Sequence, residues 1–545
     1  MRGTAHVGWV VGTAAIALAA TSCSGGGGGS GGGGSHSGSV VRAYWGDPQN
    51  PLEPADTNEV QGGKVLDMIF RGLKRYNPDT GAAEDEVAQS ITSSDQQNFT
   101  VKLKPGWKFS NGEPVDARSF VDAWNFGALL SSKQLNAPFF AYIDGYDKVH
   151  PATGSPTAST MSGLKRIDDL TFTVRLTQKF STFPDTLGYS AYYPLPRAFF
   201  TDRAAWLDKP IGNGPYAISS YTKGSQMQLR RSSTFSGPDK ARNDGVDLIV
   251  YTDADTAYTD LQAGNLDVID IIPAAQLANA PTDLSGRFIN QPAGIIQTIS
   301  FPMYQSAWNT AKAQKVRLGL SMAINRPQIT QKIFHNSRTP ATDWTSPVLG
   351  AKGGYSKTLC GQACGYDPGR ARTLIRQGGG LPGGKMTISY NADGDHKSWV
   401  DAVCNSINTV LGNDRACVGN PVGTFADFRS QVTDKRMTSA FRTGWQMDYP
   451  LIQDFLEPLY TTGGSSNDAH FGNADFDRLV NQANAAPNSA AAVAKFQDAE
   501  KILAVQMPAI PLWYQNAVGG YSAHVSHVRL NPFSVPVYNE ITVKS

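Results

Sequence analysis

The chain has 545 residues, 40% of them hydrophobic and 17% charged, a composition that excludes a disordered or fibrous protein and gives ample length for more than one core. Its 48 Lys and Arg stand against 46 Asp and Glu, so no net field argues for nucleic acid or an acidic surface as partner. Recognition must be read from local sites.

At the start, Arg2 precedes an uncharged stretch from Val7 to Ala20 that is too short for a comfortable membrane span and ends in small residues. This pattern predicts an export signal over residues 1–22. Ala20-Thr21-Ser22-Cys23 resembles the lipobox of bacterial lipoproteins, in which the cysteine is lipidated and the chain is cut before it. It departs from that pattern in carrying Ala where Leu is usual. Simple secretion, with cleavage at Ala17-Leu18-Ala19, is the competing reading. From Ser24 to Ser39 the chain is Gly and Ser apart from His36, a flexible coil suited to holding a folded body off a membrane. An artificial linker has the same composition. Residues 23–39 are thus expected to be a lipidated Cys23 followed by a tether. No later stretch is long and apolar enough to span a bilayer.

The folded part opens on a predicted strand, Val40 to Tyr44. A loop through Pro51 and Pro54 leads to Leu66, Ile69, Phe70 and Leu73, which fall at helical spacing. Phe99, Val101 and Leu103 alternate with polar residues up to Pro105-Gly106, and Trp107 to Phe109 is read as a second short strand before Asn111-Gly112. Asp116 is placed to cap a helix carrying Phe120, Trp124 and Phe126. Thr171 to Leu176 alternates again. Gly212-Asn213-Gly214-Pro215-Tyr216 is read as a turn whose glycines take backbone angles closed to other residues. Val316, Leu320 and Ile324 suggest a helix ending near Asn325. A glycine-rich loop precedes a strand from Met386 to Tyr390. Two late helices, about 475–483 and 489–505, precede an apolar strand from Ile510 to Tyr514.

The chain has five cysteines. With Cys23 assigned to the anchor, the other four form two close pairs in a compartment where thiols oxidise, and bridges Cys360 to Cys364 and Cys404 to Cys417 are expected. Zinc is the competing reading, but the spacing is that of no common finger, ribbon or knuckle, and His396 is the only histidine close in sequence. Neither a metal nor a cofactor is expected.

Several landmarks occur in a characteristic order: Asn50-Pro51-Leu52-Glu53-Pro54 with Ile69-Phe70-Arg71-Gly72-Leu73; Gly106-Trp107-Lys108-Phe109 with Asn111-Gly112-Glu113-Pro114-Val115; Gly212 to Tyr216; and Val316-Arg317 through Ala323-Ile324-Asn325-Arg326. In that order they resemble the family 5 extracytoplasmic solute-binding proteins of ABC importers, over nearly all of the mature chain. The resemblance implies an α/β, two-lobed periplasmic-binding-protein-like fold (class II, cluster C) with an extra inserted domain and a hinge-closing cleft. Lobe I would comprise 40–75, 210–295 and 512–545, the inserted domain 76–209, and lobe II 296–511. Two lobes joined by crossing strands suit capture by closure.

It also implies which residues bind. Arg442-Thr443-Gly444-Trp445-Gln446-Met447-Asp448-Tyr449-Pro450 places a carboxylate among aromatics, where it can pair with an α-ammonium partly shielded from water. In peptide-binding relatives the aspartate at the position of Asp448 takes the peptide's amino terminus. An Asp in a Pro-bearing turn beside core aromatics is the structural alternative. Arg442 suits a carboxylate, either at the ligand's far end or within the protein. Asn58, Glu59 and Val60 lie where relatives offer backbone to the peptide as an added strand, although Asn58 alternatively caps the following helix. Phe139 matches an aromatic that covers the peptide, with ordinary core packing as its alternative.

The expected partners are therefore short peptides, ABC importer permease subunits and the outer face of a bacterial cytoplasmic membrane, reached through the lipid anchor. No nucleic acid is expected, and the protein is expected to be a monomer. A binder of another solute, such as a nickel chelate, oligosaccharide or haem, or a sensor of signalling peptides, shares the same fold. An enzyme is the remote alternative: Ser162-Gly163-Leu164-Lys165 and Ser220-Tyr221-Thr222-Lys223 match Ser-x-x-Lys of penicillin-recognising enzymes, but no Lys-Thr-Gly or Ser-Asp-Asn follows.

Overall fold

Two long strands, Phe288–Ser300 and Ala509–Tyr521, run antiparallel through the centre of the computed structural model, which describes residues 39–544. The expected export signal, Cys23 and most of the tether lie outside the described residues. Beyond Phe288–Ser300, the sheet continues through Ala440–Gln446, Met386–Asn391 and Cys417–Val422. Beyond Ala509–Tyr521, it continues through Val268–Ile269, Val40–Trp45, Gly245–Val250, Gln226–Arg231 and Tyr216–Thr222.

Each half builds its own core. Val41, Ala43 and Trp45 alternate inward from the first strand into one core, which extends to Tyr538 and Ile541 near the C-terminus. A second core gathers residues from Ile296 to Tyr514, including Trp308, Trp344, Trp399 and Trp513. A separate four-stranded sheet of Ala88–Thr92, Asn98–Leu103, Thr171–Arg175 and Leu164–Arg166 packs within the first core. Its Phe172 meets Phe120 and Trp124 of the helix Ala117–Ala128. Asp116 caps that helix as its position suggested, exchanging hydrogen bonds with Ser119 in a capping box.

Four local expectations are corrected. Trp107 to Phe109 is not a strand: the chain folds at once into a tight turn, with Gly112 at φ 89° and only an isolated bridge between Lys108 and Pro114. The helix through Val316 spans Ala311–Met322, and Asn325 instead caps the next helix, Arg326–Phe334. The strand beginning near Ile510 is part of the thirteen-residue Ala509–Tyr521. Gly212 and Gly214 are needed for close approach and not for unusual backbone angles, because a Cβ on Gly212 would lie 1.9 Å from the Ile69 carbonyl oxygen. Between those glycines, the Asn213 side chain takes the Arg71 N–H and donates to the Arg71 carbonyl, both at 2.9 Å. This docks the end of the helix Val60–Ile69 against the Gly212–Gly214 segment.

Both disulfides form, Cys360 to Cys364 and Cys404 to Cys417, with Cα separations of 5.6 and 4.9 Å. The second ties the helix Lys397–Leu411 to the strand Cys417–Val422. The arginines of the Val316 to Arg326 segment are structural. Arg317 donates to the carbonyls of Met507, Trp308 and Gln506, and Arg326 to those of Pro511, Ser321 and Cys364. No helix among the described residues is long and apolar enough to cross a membrane.

Candidate functional site

Strand Ala440–Gln446 pairs with Phe288–Ser300 up to Gln446 opposite Ile295, and there the chain leaves the sheet. Met447 fixes the exit: its N–H donates to the Gly294 carbonyl at 2.8 Å, and its side chain covers Gly294 so closely that a Cβ there would lie 2.4 Å from the sulfur. The turn through Pro450 leads into the helix Ile452–Tyr460. Gln446, Met447 and Asp448 thereby reach the wall of a cavity of about 480 Å³. Facing them are Thr57 to Val60, Tyr189 and the segment Asn531 to Phe533.

Asp448 is held from behind. Its backbone N–H donates to Asp454 Oδ2 at 3.0 Å, and the indole N–H of Trp445 donates to the same oxygen at 2.9 Å. Tyr449 donates to Gln453 Oε1 at 2.8 Å. Loss of water pushes the Asp448 carboxyl up to about 7. Burial, then the nearby Asp448 charge, holds Asp454 well above the usual carboxylate range.

The cations lining this cavity are already matched. Lys64 pairs with Asp270 at 2.5 Å, Lys74 with Asp85 at 2.8 Å, Arg75 with Glu84 at 2.9 Å, Arg529 with Glu540 at 2.6 Å, and Arg71 with Glu86 more loosely at 3.8 Å. Asp448 and Asp454 form no salt bridge with any described residue. The cavity thus offers an unmatched carboxylate, a charge suited to a cation and unsuited to an anion.

Around Asn58 the alternative reading, a helix cap, is corrected. Asn58 does not cap the helix: Glu59 does, taking the N–H groups of Gln61 at 2.8 Å and Gly62 at 3.0 Å. Asn58 Oδ1 accepts from Asn50 Nδ2 at 2.9 Å. The Glu59 carboxylate is therefore turned to its own helix. Asn58 and Glu59 donate their backbone N–H groups to no acceptor among the described residues, which leaves this edge open at the cavity wall, with Val60 42% exposed beside it.

Phe139 is half-buried behind the wall. Its ring lies 4.4 Å from that of Tyr189, which lines the cavity, and 6.5 Å from that of Tyr449. Arg442 is elsewhere, on a smaller cavity of about 190 Å³ that Trp445 also lines. The structure does not bring Arg442 and Asp448 to one cavity, because they lie on a strand and on the turn beyond its end. Arg442 Nε and Nη2 donate to Asn391 Oδ1 at 2.9 and 2.5 Å, and its guanidinium carbon lies 5.2 Å from the ring centres of both Phe425 and Phe428. Burial, then Arg429, pushes Arg442 down to about 10.

Two residues of interest, Asp454 and Arg338, escaped the sequence reading, and His396, weighed there beside the cysteines as a zinc ligand, stands near Arg338 and Arg442 instead. Asp454 was detectable only as an acid in an apolar helix, Ile452 to Leu456. The Arg338 guanidinium stacks 4.3 Å from the Phe334 ring with no hydrogen-bond acceptor among the described residues, and burial lowers it to about 10. Burial, with Arg442 and Arg338 nearby, lowers His396 to about 4. Nothing in the sequence joined Arg338, His396 and Arg442. The Ser-x-x-Lys matches are occupied otherwise: Ser162 donates to Asp144 and Ser220 to Gln228.

Residues 82–467 match the family model for bacterial extracellular solute-binding proteins, family 5. The oligopeptide-binding protein of Bacillus subtilis (strain 168) is 24% identical over 481 residues, covering 85% of each chain. The heme-binding protein A of Haemophilus influenzae is 25% identical over 508 residues, covering 87% of each. Among solved structures, the Escherichia coli murein tripeptide binding protein aligns with a TM-score of 0.76 at 22% identity, over 93% of this chain and 99% of that one. With its mixed α/β fold of periplasmic binding proteins and a family match across most of its length, this chain belongs to the family 5 bacterial extracellular solute-binding proteins.

Proposed function

We propose that this protein captures short peptides in the larger cavity and passes them to an ABC importer. On this reading it works at the outer face of a bacterial cytoplasmic membrane, held there by a lipidated Cys23 and the Gly/Ser tether. The observation that carries the reading is Asp448, an unpaired carboxylate on a cavity wall whose cations are matched. A peptide's α-ammonium supplies the missing charge. The open edge at Asn58 to Val60 takes the ligand's main chain by strand addition, and Phe139 backs the aromatic wall.

Arg442, with Arg338 and His396 nearby, is assigned to the carboxylate end or an acidic side chain of longer peptides, through the smaller cavity bordered by Trp445. The lobes would divide as 40–75, 210–295 and 512–545 against 296–511, with 76–209 inserted, and close about the two crossing strands. A haem reading, suggested by the Haemophilus relative, is disfavoured because propionates need free cations and those of the larger cavity are paired.

Mass spectrometry of whatever co-purifies with the recombinant protein tests the class. A set of short peptides is expected, and a sugar, chelate or porphyrin would overturn the reading. Asp448→Ala should weaken binding of free-amino peptides by about 2 to 5 kcal/mol, the range for removing one partner of a buried charge pair. Unchanged titration calorimetry would remove Asp448 from the role.

A further inference from the structure

A ligand ammonium balances one charge, yet two carboxyls stand at its place. Asp448 lines the cavity, whereas Asp454 lies behind it, 1% exposed, in the first turn of the helix Ile452–Tyr460. They are joined through Asp454 Oδ2, which receives both the Asp448 backbone N–H and the Trp445 indole N–H.

The elements packed around this pair supply no free cation. The helix Val60–Ile69 and the residues following it bring Lys64, Arg71, Lys74 and Arg75, each bound to a carboxylate, together with Asp67, whose carboxyl accepts from Tyr193 at 3.0 Å. The C-terminal segment brings Arg529, paired with Glu540. Tyr76, Tyr189 and Tyr449 bring phenols that burial keeps neutral. One turn along the same helix, Glu457 is engaged by Tyr142, Gln453 and Asn484. Two adjoining carboxyls without a cation do not both ionise.

We propose that Asp454 is the positioning residue of ammonium capture: it stays protonated and anchors Trp445 and the Asp448 backbone, so that Asp448 alone takes the charge and docking an ammonium expels the proton that Asp448 holds beforehand. No bond other than O–H is broken, and the proton goes to solvent. Burial raises both carboxyls, and only Asp448 lines the cavity while Asp454 lies 1% exposed behind it, which is the division this arrangement requires. The proposal rests on the peptide reading of the cavity.

Titration calorimetry of the full chain with trialanine, in buffers of different ionisation enthalpy, reads the released proton directly. Close to one proton per peptide is expected at pH 6 and a clearly smaller fraction at pH 7.5, with affinity falling roughly tenfold per pH unit below pH 6. Asp454→Ala should weaken binding about tenfold, and Asp454→Asn should restore most of that loss while keeping the proton release. A buffer-independent enthalpy at pH 6 with trialanine bound normally would overturn the proposal and leave the peptide reading standing. An Asp454→Asn protein as weak as the Ala variant at pH 7 would show that the charge of Asp454 is used, again overturning it. Failure of trialanine and of every other free-amino peptide to bind at any pH would instead sink the peptide reading, and this proposal with it.

Discussion

Trp445 answers two demands with one side chain. Its ring borders the smaller cavity, and its indole N–H anchors Asp454, which in turn fixes the Asp448 backbone beside the larger one. The substitution that separates these roles is Trp445→Phe, which keeps an aromatic wall and removes the donor. Loss of one hydrogen bond to a buried carboxyl should weaken peptide binding by about 1 to 2 kcal/mol, five- to thirty-fold, with little change in Tm. A calorimetric affinity equal to that of the parent would show that the indole N–H plays no part in positioning. The same scale explains why Glu59 is a poor candidate for the ammonium: its carboxylate already takes two helix N–H groups.

The helix Val60–Ile69 is the element on which the first wall depends. Glu59 closes its N-terminus, and the Asn213 bridge to Arg71 holds its far end. Capping by Glu59 also sets the course of Asn58 and Val60, so the open backbone edge is a by-product of where the helix starts. Glu59→Ala should cost about 0.5 to 2 kcal/mol of local stability and speed hydrogen exchange at the Gln61 and Gly62 amides. Unaltered protection at those two amides would mean that the cap is not what holds the turn. Gly212 and Gly214 act at the same scale. They give the passing backbone room against Ile69, a need that a glycine in a sequence does not distinguish from a need for unusual φ.

Across the whole molecule, two large cores are joined by two long central strands, so each half can keep its packing while the strands flex, the arrangement that suits hinge closure. The second core also hides a pair of acids, Asp343 and Glu500, both 0% exposed. Burial first, then the other carboxyl, lifts Glu500 well above 4.5, and burial lifts Asp343 above 3.8. The folded state therefore holds protons that the unfolded chain has already released at the same pH. This contribution is complete below the unfolded values and is lost as pH rises from there through the folded ones. Glu500→Gln should consequently flatten the decline of stability between pH 5 and pH 8, by at most about 1.4 kcal/mol per pH unit over the affected range. Urea unfolding at the two pH values checks this, and identical slopes for variant and parent would show that Glu500 does not titrate there.

Much of this protein was legible along the chain. Alternation marked the strands at Phe99 and Thr171 and a short apolar run the one at Val40, Asp116 sat where a cap belongs, and the spacing of four cysteines matched the two bridges that form. Those features are local, since burial periodicity, capping and short loops are decided by neighbours in sequence. The order of motifs carried the family as well. What only the tertiary structure decided was the neighbourhood of each charge. Arg529 meets Asp79 across 450 residues and Tyr193 meets Asp67 across 126, so no pattern in the sequence could tell which cations are already matched. Asp448 stands out because its cavity leaves it without a partner, Asp454 because the helix brings it behind the same turn, and Arg442 faces another cavity because the strand ends between them.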